Sequence, residues 1–132
     1  MGRRLGIVVG VNRYQDNTFQ PLQFAENDAH AFAQWLVNDK GGKWAPTNMQ
    51  HVYGAHATKN LVESLILQTC LSEAQPDDLV LIYIASHAFL DTNSDGGYLA
   101  LTDTSHSDSR TVLHIASLVQ QIRVKSTENV TE

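Results

Sequence analysis

A chain of 132 residues, 42% hydrophobic and 17% charged, is long enough for one domain with a buried core and too apolar for a disordered segment. Nine basic against fourteen acidic residues leave a net charge of −5, and beyond Arg3-Arg4 no basic cluster offers a footprint for nucleic acid. No apolar run is long enough to cross a bilayer, the start has no secretory h-region, and a single cysteine forms no internal disulfide. The expectation is a cytoplasmic domain with neither nucleic acid nor membrane among its partners.

Leu5 to Val11 is a continuous, β-branched apolar run, which suits a strand covered on both faces of a parallel sheet. Asn12 to Leu22 is polar and turn-rich and reads as a loop. Ala25, Ala29, Phe32 and Leu36 recur at helical spacing, with Glu26 and Asp28 in the first turn where the helix dipole favours acids; Gly41-Gly42 should stop that helix. A weaker strand follows at Met49–Tyr53. Thr58 is the expected N-cap of a helix whose apolar face carries Leu61, Val62, Leu65, Ile66, Thr69 and Cys70.

Leu79–Ala85 is the clearest strand, read as strongly buried, and a short one is expected at Tyr98–Leu101. A last helix should turn Ile115, Leu118, Val119 and Ile122 inward. Alternation of strands and helices predicts βαβ units, a parallel sheet and helices on both faces. The domain is expected over residues 1–124, with 125–132 as a polar tail or linker between fragments.

In such sheets functional groups gather at the carboxyl ends of the strands. His87 follows the best strand between small residues, which leaves its imidazole room for acid/base work; a histidine merely hydrogen-bonded at a strand end is the competing reading. Cys70 sits on an apolar helical face and reads as a small hydrophobe. Asp91-Thr92-Asn93-Ser94-Asp95-Gly96 imitates the first half of a calcium loop, but Thr102 stands where a closing Glu is needed. An acidic turn with at most weak Ca2+ binding at Asp91–Asp95 is expected there, and otherwise no cofactor. The remaining histidines show no metal-ligand spacing, and no phosphate-cradling Gly-rich loop or Gly-x-Ser-x-Gly elbow occurs.

Four segments in order resemble the caspase-like cysteine peptidases (peptidase family C14), the clan of caspases, metacaspases and their bacterial relatives. Gly6 to Tyr14 is similar to the family's first strand with its Gly-x-Asn-x-Tyr ending, and Asn27-Asp28-Ala29 to the Asn-Asp-Ala opening its first helix. Asp78 to Ala88 resembles the third strand and the catalytic-histidine motif, with Ala85-Ser86-His87-Ala88 where the family has Ser-Gly-His-Gly. Gly97-Tyr98-Leu99 with Asp103 matches the segment that follows.

The resemblance implies a three-layer α/β fold with a mainly parallel sheet, incomplete at its C-terminal end. It implies His87 as general acid/base, the Ala88 N–H as an oxyanion donor, and Asp28 as the selector of a basic P1 side chain, with Leu22 where aspartate-specific caspases carry arginine. The family's nucleophile ends the strand after the last helix, where this sequence reaches Glu132; Cys70 precedes His87 in a different element and cannot replace it. The expectation is the histidine-bearing part of a peptidase that acts on protein or peptide substrates. It would be inactive alone, and completed by a following segment or second chain that carries the cysteine. A non-catalytic caspase-like interaction module is the alternative. A receiver-like domain would need an acidic cluster after its first strand, where Asn12-Arg13-Tyr14 stands.

Overall fold

The structure is a computed structural model that describes residues 2–90 and 97–130, with side chains to Arg123. Its centre is β1 (Arg4–Gly10), buried from Leu5 onward. Parallel partners flank it, β2 (Met49–Tyr53) and β3 (Leu79–Ala85), in the order β2-β1-β3. Both faces of β1 are covered, which is why its sequence is apolar without alternation. Val8 packs on Ala29, Ala33 and Leu36 of α1 (Ala25–Val37). Ile7, Val9 and Val11 face Val62 and Ile66 of α2 (Lys59–Gln68) and Leu118 of α3 (Ile115–Val130).

The entry into α1 explains two residues of the first-strand motif. A Cβ at Gly10 would lie 2.9 Å from the Ala25 carbonyl oxygen and from the Ala29 Cβ, so only glycine lets the helix seat this closely on the strand. Asn12 and Glu26 then bond reciprocally. The Asn12 Oδ1 accepts the Glu26 N–H at 3.0 Å, and the Glu26 Oε2 accepts the Asn12 N–H at 2.9 Å. This pair satisfies an orphan amide of the helix start. The helix ends at Val37, ahead of the expected Gly41-Gly42 stop, because Asn38 is already extended. Thr58 caps α2 as expected, its hydroxyl accepting the Leu61 N–H, while Asp103 accepts the Lys59 N–H at 2.8 Å. Beyond α2 the chain makes one wider helical turn, Thr69–Glu73.

Two expectations about burial need correcting. β3 is an edge strand and only half-buried, because no described strand lies on its outer side. The Leu79 N–H donates to Arg3 and the Ala85 carbonyl accepts from Val11. In a parallel ladder it follows that Val80, Ile82 and Ile84 turn their N–H and C=O groups to the open edge. In α3, Leu118 is buried, but Ile115 and Val119 are each 41% exposed. They overhang that edge and, with Ile82, Ile84 and Ile122, line an apolar groove of about 320 Å3. The same open edge causes both departures.

Alternation of strands and helices does not announce the second sheet. β4 (Ala88–Leu90), β5 (Gly97–Leu99) and β6 (Leu113–His114) form a small antiparallel sheet in the order β4-β5-β6. The backbone of α3 runs through the stretch expected as a polar tail, to Val130. Among the described residues no helix is long and apolar enough to cross a membrane.

Candidate active site

His87 lies at the carboxyl end of β3, half-buried, and the segment from Asn12 to Leu22 folds over it as a strap. The ends of the strap meet where the Leu22 N–H donates to the Asn12 carbonyl at 2.7 Å. Tyr14 reaches down from it: its hydroxyl donates to the Val11 carbonyl at 3.0 Å and accepts the His87 backbone N–H at 2.9 Å. Burial is the main reason the Tyr14 phenol is held above its ordinary pKa, so it stays a neutral donor. The Tyr14 ring lies 5.2 Å and the buried Phe19 ring 5.9 Å from the imidazole, centroid to centroid.

The imidazole Nε2 lies 2.6 Å from the Gln20 carbonyl oxygen. A carbonyl only accepts, so Nε2 carries the proton and neutral His87 keeps its lone pair on Nδ1. The polar loop of the sequence thus orients the candidate base. Sequence reasoning missed Tyr14, Phe19 and Gln20 in this role; the tyrosine of the Gly-x-Asn-x-Tyr ending was the only signal.

Ala88 is exposed and opens β4. The His87 carbonyl accepts the Ala100 N–H at 2.9 Å, so the residues bonded to β5 are His87 and Phe89, and the Ala88 N–H faces away from β5. It is a donor one residue from the imidazole.

Asp28 sits in the first turn of α1, at the same end of the sheet, with its side chain exposed. Glu26 is the acid that turns inward: it lines a hollow of about 290 Å3 with Asn12, Arg13, Gly54, Ala55 and Thr102, at the ends of β1 and β2. Sequence reasoning gave Glu26 no role beyond the helix dipole.

Cys70 lies in the turn after α2. That helix runs back against the strands to feed β3, which places the thiol near the amino ends of the sheet, at the opposite pole from His87. Burial pushes its pKa up, which further disfavours a thiolate. Among the described residues no group of three or more His, Cys, Asp or Glu could hold a metal ion. The calcium-like loop, Asp91–Asp95, lies outside the described residues.

A mainly parallel sheet between helices, with an oriented histidine at its carboxyl end, defines an α/β domain of the caspase-like three-layer kind. The chain belongs to the CHAT domain family, whose sequence profile matches residues 2–131, and CHAT domains are related to caspase-like cysteine peptidases. Its fold is similar to that of the crystal structure of protein GSU0716 from Geobacter sulfurreducens, with a TM-score of 0.67 at 17% identity over 93% of this chain. The chain spans 45% of that structure's length. No curated protein matches the sequence.

Proposed function

We propose that this chain is the histidine-bearing part of a caspase-like cysteine endopeptidase, with the nucleophilic thiol supplied by a following segment or a second chain. The observation that carries the reading is the imidazole held by Gln20 through Nε2, which presents Nδ1 as a base at the end of an open sheet edge. A strand laid parallel along β3 would bond to Val80, Ile82 and Ile84 and cover the apolar groove. Sharing the direction of β3, it would end beside His87, where a cysteine is needed.

The chemistry then follows. Nδ1 takes the thiol proton, and the thiolate attacks the scissile carbonyl carbon, with the oxyanion facing the Ala88 N–H. The imidazolium returns its proton to the departing amine as the C–N bond breaks. Water then hydrolyses the thioester to the new carboxylic acid and regenerates the thiol. Asp28 selects Arg or Lys at P1 in this reading, and a cytoplasmic setting keeps the thiol reduced.

The test is labelling by a peptidyl-Arg acyloxymethyl ketone of the chain assembled with the polypeptide that supplies the cysteine. One thiol should be modified, and His87→Ala should abolish the labelling. An unlabelled, correctly folded assembly under reducing conditions overturns the peptidase reading. The second reading, a non-catalytic interaction module, is favoured by the groove itself, since an apolar edge binds a strand whether or not chemistry follows.

A further inference from the structure

We infer that Asp16 is a positioning residue for His87: its carboxylate bolts the strap to the loop after β5, and so holds the Gln20 carbonyl against the imidazole. The inference rests on His87 as the reactive group and adds a residue that no motif marks.

The strap needs an anchor away from its closed ends. Gln15 donates its N–H to the Thr102 carbonyl at 2.9 Å, and the Thr102 hydroxyl donates to the Arg13 carbonyl at 3.0 Å, so the first arm is tied down. The return arm, which carries Gln20, depends on Asp16. Its Oδ1 accepts the Thr18 N–H at 2.9 Å, and its carbonyl accepts the Phe19 N–H at 3.1 Å, which shapes the turn. Its Oδ2 accepts the His106 N–H at 2.7 Å, across 90 positions of sequence. A local turn is complete with the first oxygen; the second bond has no part in it and fixes where the turn lies.

The consequence is visible one residue before Gln20. The Phe19 ring is set 5.9 Å from His87, 5.8 Å from Phe89 and 5.9 Å from His106, a contact between the two loops that only a seated turn allows. The two amides hold the Asp16 carboxyl below its ordinary pKa, so both oxygens accept at neutral pH.

The test is the side-chain NMR spectrum of His87 in the chain as it stands, which needs no thiol, so the clamp and the peptidase reading can fail separately. The Nε2 proton of the unaltered protein should be protected from exchange with water. Asn offers one carbonyl oxygen where Asp offers two, so Asp16→Asn can keep the turn or the cross-link but not both. Exchange of the His87 Nε2 proton should accelerate a few-fold to about tenfold in Asp16→Asn, and more in Asp16→Ala. His30 and His51, away from the strap, should keep their signals and report an intact fold. Where Asp16→Ala does not fold, the same-sized Asp16→Asn decides. An unprotected Nε2 proton in the unaltered protein, or unchanged protection in a folded Asp16→Asn, overturns the inference.

Discussion

The hydroxyl of Tyr14 accepts the backbone N–H of His87 at 2.9 Å while donating to Val11, and so joins the first strand to the candidate base. A strand end otherwise leaves that amide without a ladder partner. Tyr14→Phe keeps the ring among Phe19 and His87 but strands the amide, at an expected cost of about 1–2 kcal/mol. Urea unfolding gives the stability change, and exchange of the His87 backbone amide should accelerate with it. An unchanged midpoint together with unchanged exchange would show that water replaces the phenol at no cost.

The apolar edge predicts association. With Ile82 37% exposed and Ile115 and Val119 overhanging it, the chain alone should self-associate or be recovered with a second polypeptide. Val119→Lys puts a charge in the groove and, at a position this exposed, should alter stability by about 1 kcal/mol or less. Sedimentation velocity should show the variant shifted toward monomer. If the unaltered chain is already a monodisperse monomer with nothing bound, the edge is protected in some other way.

Acid should find the Arg3–Asp78 pair. The Arg3 guanidinium, followed by the backbone amides of Gln75 and Arg3, holds the Asp78 carboxyl at about 2, down from 3.8. A depressed carboxylate stabilises the fold fully above its unfolded value, and that contribution is lost as pH falls through the folded one. The Tm difference between the unaltered protein and Asp78→Asn should therefore be steady above about 4 and close between about 4 and 2. A difference that grows with acid would contradict the assignment.

In the peptidase proposed above, two substitutions should separate chemistry from recognition. His87→Ala should abolish turnover whatever the P1 residue. Asp28→Ala should cost about tenfold in kcat/KM for Arg and Lys substrates alone, the low end for a charge-assisted bond because this carboxylate is exposed. Preference for Asp at P1, or a P1 profile untouched by Asp28→Ala, removes Asp28 from recognition. The inward-facing Glu26 would then be the next acid to replace.

Where burial is complete, the residue pattern was enough. β1 reads as a strand covered on both faces because Ile7 and Val9 pack with α2 and α3 while Val8 packs with α1. Met49–Tyr53 and the Thr58 cap were likewise legible, since local propensity and turn chemistry decide them. His87 was legible as a candidate because strand ends are places, and places can be counted along a chain.

Which strand lies at the edge is not written in any one strand. Leu79–Ala85 is as apolar as β1, and only the order β2-β1-β3 shows that one side of it is open and that Ile115 and Val119 overhang it. The strap was equally hidden. Gln15 to Leu22 carry no periodicity, and what gives them meaning is a backbone carbonyl and a carboxylate reaching residues 67 and 90 positions away. Local sequence decided the elements because their hydrogen bonds and apolar faces are local or periodic. The open edge, the orientation of His87 and the clamp on the strap were decided by tertiary structure, because they depend on distant backbone atoms that have no side-chain signature in the chain.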